Sequence, residues 1–146
     1  MTFDFSEFKN KKIIVTGSST GIGFETGIEF LNLGANVIFH GNQSINDLEA
    51  RVKTKSHNQS FKIFKSDFTD LSQVDDFMNN AINYLDGLDI LVNNAGTMIG
   101  RYQLDKISEK DFLKIFDLNA KSAYFATKSA CTIFKKQNYG NIINVS

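Results

Sequence analysis

Thr16-Gly17-Ser18-Ser19-Thr20-Gly21-Ile22-Gly23 follows the apolar run Ile13-Ile14-Val15 and opens a helical pattern that runs to residue 33. A strand, a glycine-rich turn and a helix start, in that order, make an anion site. The first backbone N–H groups of a helix lack intrahelical partners and carry partial positive charge. Glycine lets a phosphate approach them, because no Cβ stands in the way. The glycines fall at 17, 21 and 23, which is not the G-x-G-x-x-G spacing, and no lysine follows them as in a phosphate-cleaving P-loop.

Working outward, residues 11–17 read as a strand buried on both faces, since Ile-Ile-Val shows no alternation. A helix over 21–33 carries Ile22, Phe24, Ile28, Phe30 and Leu31 and stops at Gly34. Further strands are expected at 37–39, 61–64, 88–92 and 141–145. Between them lie a short helix at 45–52 and a longer one capped by Thr69 or Asp70 and running to 85. A loop is expected at 97–104, then two helical pieces over 108–136 that part near Asn119. Alternating strands and helices predict an α/β fold, a doubly wound parallel sheet in one domain over 1–146. Ligands bind such sheets beyond the strand carboxyl ends. The polar clusters at Gly17, Gly41, Asp67 and Asn93 all fall there.

Bulk properties narrow the function. The 146 residues suit one domain, large enough to bury roughly 70% of its chain surface. Sixteen basic residues balance sixteen acidic ones, which gives no charge case for a nucleic-acid or membrane partner. No apolar stretch is long enough to span a bilayer. The single cysteine, Cys131, rules out an internal disulfide and a cysteine-rich zinc site, and no metal site is expected. It fits a reducing, cytoplasmic setting.

Four motifs in this order resemble the short-chain dehydrogenase/reductase family. They are Thr16-Gly17-x-x-x-Gly21-Ile22-Gly23, Asn93-Asn94-Ala95-Gly96, Asn119 in Asp117-Leu118-Asn119-Ala120, and Gly140-Asn141-Ile142-Ile143-Asn144-Val145-Ser146. Within the family the chain looks most like the 3-oxoacyl-[acyl-carrier-protein] reductase-like members. The resemblance implies a Rossmann fold with strand order 3-2-1-4-5. It also implies hydride transfer between a nicotinamide cofactor and a carbonyl or alcohol, possible substrates including a 3-oxoacyl thioester.

On that resemblance, Gly17, Ser19, Thr20, Gly21, Ile22 and Gly23 line the pyrophosphate and adenosine ribose. Asp67 and the backbone of Phe68 meet the adenine. Asn93, Ala95 and Gly96 border the cofactor ribose, with Asn93 and Asn94 also bracing the sheet. Asn119 takes the catalytic place of an asparagine that holds a water. The second strand ends His40-Gly41-Asn42-Gln43-Ser44. An acid there would hold the ribose hydroxyls of NAD and repel a 2′-phosphate. None is present, so the reading leans to NADP, with Asn42 at the ribose and NAD left open. His40 is read as a packed or solvated side chain whose charge change near pH 6.5 remains available.

The family's catalytic serine would come one residue after Ser146, and its Tyr-x-x-x-Lys pair about a dozen later. The chain therefore resembles an N-terminal piece of a protein of roughly 250 residues, a homo-oligomer in its full-length form. Tyr102-x-x-x-Lys106 and Tyr124-x-x-x-Lys128 fit the pattern but precede the fifth strand. They are set aside on position. The alternative is an NAD(P)-binding module without chemistry or an inactive gene product. An exposed fifth-strand edge and marginal stability are expected for this span.

Overall fold

The computed structural model describes residues 4–42, 45, 47–58, 60–98, 100–101, 103 and 105–146. Tyr102, the end of the expected 97–104 loop at Leu104, and Gln43 and Ser44 lie outside the described residues.

Five parallel strands form one sheet in the order β3-β2-β1-β4-β5. They are β1 (Lys12–Val15), β2 (Asn36–Gly41), β3 (Phe61–Lys65), β4 (Ile90–Asn93) and β5 (Asn141–Asn144). The helices are α1 (Gly21–Asn32), α2 (Leu48–Lys55), α3 (Leu71–Leu85), α4 (Glu109–Phe116) and α5 (Ser122–Gln137). The expected fold class and strand order are those observed.

The unbroken apolar runs are explained by cover on both faces. Ile14 pairs in register with Ile38 and Leu91. These three point into a core with Val74, Met78 and Ala81 of α3 and Ala126 and Ala130 of α5. Ile13, Val15, Val37 and Phe39 point the other way, against Phe24, Ile28 and Leu31 of α1 and Leu48 and Val52 of α2. Small residues on α5 let it lie close to the sheet.

Local signals set most boundaries. Asp70, not Thr69, caps α3, its carboxylate accepting from the Ser72 N–H at 2.9 Å. Gly34 follows α1 with φ +87°. The helix expected at 45–52 sits three residues later, with Asp47 at its start. Leu48 and Val52 are its buried pair, so burial and not the first apolar residue fixes the phase. On α1, Ile22 is 68% exposed, whereas Phe24, Ile28 and Leu31 are buried. The expected break at Asn119 is a π-helical turn, Asp117–Lys121, between α4 and α5. β5 is an edge strand, and its Ile143 is 45% exposed.

Candidate functional site: a nucleotide crevice at the strand carboxyl ends

β1 lies between β2 and β4, so the chain leaves β1 on one face and β4 on the other. The crevice between their carboxyl ends is where the strand order reverses, the usual place for a ligand in such sheets. Two turns meet there and interlock. The Thr16 hydroxyl oxygen accepts from the Asn94 and Ala95 backbone N–H groups, both at 3.0 Å. In return Asn94 Nδ2 donates to the carbonyls of Thr16 and Gly17 at 3.0 and 2.9 Å. Gly17 has φ +61°, and a Cβ there would stand 2.6 Å from the Ala95 Cα. A side chain at 17 would therefore push the two turns apart.

His40 closes the same turn from β2. It is 3% exposed, stacked on Phe68 with ring centroids 4.0 Å apart, and edge-on to Phe77. The Gly17 N–H donates to its Nδ1 at 2.9 Å. Nδ1 is thus the acceptor, so the proton sits on Nε2, which donates to the Ser66 carbonyl at 3.1 Å. Burial pushes its pKa down to about 4, against a smaller upward pull from Ser66 and Asp67. The charge change near pH 6.5 expected from the sequence is therefore absent. A charged ring would have to shed the Gly17 bond and be desolvated. Ser18 completes the knot: its hydroxyl donates to Val15 O at 2.6 Å and accepts from the His40 N–H at 2.9 Å.

The polar groups of Gly17 are thus turned inward, while the next N–H groups are not. Among the described residues, the backbone N–H groups from Ser19 to Gly23 have no acceptor. Thr20 precedes α1 without a side-chain cap bond. Gly21 has nothing within 4 Å of where a Cβ would stand, so the turn is open above it. Gly23 is packed below: a Cβ would lie 2.7 Å from Gly17 O. An open turn with unpartnered N–H groups fits the pyrophosphate of a dinucleotide.

The other expected residues surround this turn. Asp67 follows β3 and accepts from the Thr69 N–H at 2.9 Å and the Thr69 hydroxyl at 2.8 Å. Burial pushes its carboxyl up, but the bonds from Thr69 and Asn42 outweigh that and hold it below the usual range. It is thus ionised, and an acceptor-only group faces whatever enters beside Asn42. Phe68 is buried against His40, so only its backbone can meet a ligand. Asn93 Nδ2 donates to Thr127 Oγ1 at 3.0 Å and to Asn144 Oδ1 at 2.9 Å, tying β4 to α5 and β5. Its Oδ1 is buried without a partner. Asn119 is exposed on the π-helical turn, its amide donating to Thr97 O at 2.9 Å and Ile115 O at 2.8 Å. An amide bonded twice to backbone is held with its oxygen toward Gly96, 2.5 Å from where a Cβ would stand. A cleft of about 390 Å³ gathers Asn93, Ala95, Asn119, Tyr124, Asn144 and Ser146.

The structure thus brings Gly17 to Gly23, Asn42, Asp67, Asn93 to Gly96 and Asn119 to one end of the sheet. The packing expected of His40 is seen, but the bracing bonds of Thr16, Ser18 and His40 were not foreseen from the sequence. A polar residue inside an otherwise apolar strand run was the available signal for His40.

The match to the short chain dehydrogenase family model covers residues 11–146, and the chain belongs to that family. Among curated relatives, it is 32% identical to the "Probable NADP-dependent mannitol dehydrogenase" of Yarrowia lipolytica, over 92% of this chain and 49% of that protein. It is 34% identical to the 3alpha-hydroxysteroid dehydrogenase of Mediterraneibacter gnavus, over 97% of this chain and 57% of that one. The crystal structure of the NADH-dependent reductase A1-R′ complexed with NAD matches it at a TM-score of 0.85 and 29% identity, covering 97% of this chain and 61% of that one. The chain spans about half the length of the curated relatives it matches.

Proposed function

We propose that residues 1–146 form the dinucleotide-binding domain of an NADP-dependent oxidoreductase acting on a small carbonyl or alcohol, with the catalytic serine and Tyr-x-x-x-Lys segment lying beyond Ser146. The observation that carries the cofactor reading is the open turn at Gly21, with its unpartnered N–H groups, locked beside β4 by Thr16 and Asn94. When bound, the nicotinamide supplies or accepts the hydride.

The N–H groups of Gly21, Ile22 and Gly23 hold the pyrophosphate, with the Ser19 and Thr20 hydroxyls at the adenosine ribose. Gly17 supplies shape to this turn, not a donor. Asp67 accepts from the adenine amine, which an ionised carboxylate favours. The backbone of Phe68 lies against the ring. Asn93, Ala95 and Gly96 border the second ribose, and the unpartnered Asn93 Oδ1 is available to a hydroxyl. Asn119 holds a water near the reacting end.

The absence of an acid at the end of β2 favours NADP. The relatives include an NADP-dependent and an NADH-dependent protein, so the lean rests on the strand end. Their names point to a sugar alcohol and a steroid and give no support to a 3-oxoacyl thioester. In the whole protein we place a second copy against α4, where Phe112, Leu113 and Phe116 are exposed, the two rings stacked at 6.3 Å.

Calorimetric titration of the whole protein with NADPH and NADH tests the reading, followed by NADPH oxidation against hydroxyketone and ketosteroid substrates. Tighter binding of NADPH is expected. Preference for NADH refutes the cofactor lean, and binding of neither refutes the function.

A further inference from the structure

The end of β2 carries neither an acid nor an arginine, yet the fold brings an arginine back to it. Arg51 lies on the second turn of α2, nine positions after Asn42 in the chain. Its Nη1 donates to the carbonyl of Ser19 at 2.9 Å. The guanidinium carbon stands 4.3 Å from the centre of the Phe24 ring, which fixes the plane of the fork. Ser19 in turn packs on the last residue of β2: a Cβ on Gly41 would lie 2.9 Å from the Ser19 Cβ and 3.2 Å from its hydroxyl. The cation is therefore one residue removed from both the glycine-rich turn and the strand end.

We infer that Arg51 is the specificity-determining residue of this site, its guanidinium receiving the 2′-phosphate of an NADP-type dinucleotide beside Ser19 and Gly41. The inference rests on the cofactor reading above.

Charge accounting supports it. Arg51 makes no ion pair among the described residues. The neighbouring acids are already taken, Glu49 by Lys53 at 2.5 Å and Glu25 by Lys55 at 2.6 Å. Asp47, one helical turn earlier, is not within 4 Å of the guanidinium, which reaches for the Ser19 carbonyl instead. A guanidinium has five donors, and among the described residues a single one is engaged. A half-buried, oriented cation beside an acid-free strand end suits a phosphate dianion, which it can bind through charge-assisted, bidentate bonds, far better than a neutral ribose hydroxyl. Lys65 supplies a comparison. Its Cα pairs with that of Gly41 across the sheet, but the residue is solvent-exposed and, among the described residues, has no bonded partner to orient it.

The test is binding of NADPH, NADH, adenosine 2′,5′-bisphosphate and 5′-AMP to the whole protein and to R51L, R51K and K65Q. R51L keeps the apolar contact with Phe24 and removes the charge. Its expected signature is a loss of about 10- to 100-fold for NADPH and the bisphosphate, with NADH and AMP little changed. R51K should restore part of the difference, and K65Q should alter it little. Equal losses for all four ligands would show that Arg51 merely shapes the turn, and an equal effect from K65Q would show bulk charge; either overturns the assignment. Unchanged NADPH preference in R51L overturns it while leaving the cofactor reading intact. Binding of neither dinucleotide by the unaltered protein defeats both.

Discussion

At Thr16, Ser18 and His40, side chains are buried and hydrogen-bonded, whereas Asn119 and Tyr124 beside the cleft below α5 and β5 are exposed. His40, Ser18 and Thr16 are all nearly inaccessible, and each holds bonds that span two strands or two turns. On the other side Asn119 is exposed, Tyr124 is 67% exposed and the edge strand shows Ile143 to solvent. The difference separates two kinds of side chain at one sheet end. Those of the first region hold geometry, so their loss should appear as stability. Those of the second are exposed and hold little geometry, so their loss should cost little stability.

The largest effect expected is that of Gly17→Val. Its Cβ would stand 2.6 Å from a backbone atom, at a positive φ that valine resists. Overpacking and strain together predict a loss on the order of 3–5 kcal/mol, read by urea unfolding. Stability near that of the unaltered protein would mean that the two turns are not interlocked.

His40→Leu should lose about 2–4 kcal/mol, because the half-buried Gly17 N–H and the buried Ser66 carbonyl both lose their partner and the ring's packing on Phe68 is lost. It also carries a pH signature. The folded protein keeps the ring neutral down to about pH 4, whereas the unfolded chain protonates near 6.5. The contribution is full above pH 6.5 and fades as pH falls toward 4, by about 3 kcal/mol in all. His40→Leu should flatten that part of the stability profile. An unchanged slope between pH 6.5 and 4 would show that another group titrates there.

Asn119→Ala tests the open side. Its amide bonds go to two backbone carbonyls at an exposed site, so a loss of about 1 kcal/mol is expected. Turnover by the whole enzyme should fall about 100-fold if the residue holds a water for proton movement. Full turnover would remove it from the site.

The smallest effect is expected from Tyr124→Phe. The hydroxyl has no bonded partner among the described residues, so stability should stay within about 0.5 kcal/mol. Turnover should also hold, because Tyr124 precedes β5. A large loss of turnover at normal stability would make this tyrosine the proton donor and would overturn the positional argument.

The alternation of parallel strands and helices was legible because it rests on local patterns, whereas the strand order observed was implied by the family resemblance. Apolar runs without alternation marked buried strands, glycines marked the turn, and polar clusters followed each strand. Boundaries were less legible where burial decides them. The helix expected from residue 45 begins at Leu48, and Ile22, placed on the apolar pattern of α1, faces outward, because only packing selects which stripe of a helix is covered. The break at Asn119 was visible, but its form as a π-helical turn was not.

By itself, the sequence determined the parallel sheet, the glycine turn and the acid-free end of β2, since each depends on residues adjacent in the chain. Tertiary structure alone decided what holds that turn and what stands beside it. Thr16 meets Asn94 across 78 positions, Gly17 meets His40 across 23, and Arg51 meets Ser19 across 32. Contacts at such separations follow from strand order and helix packing, which no local window of residues encodes.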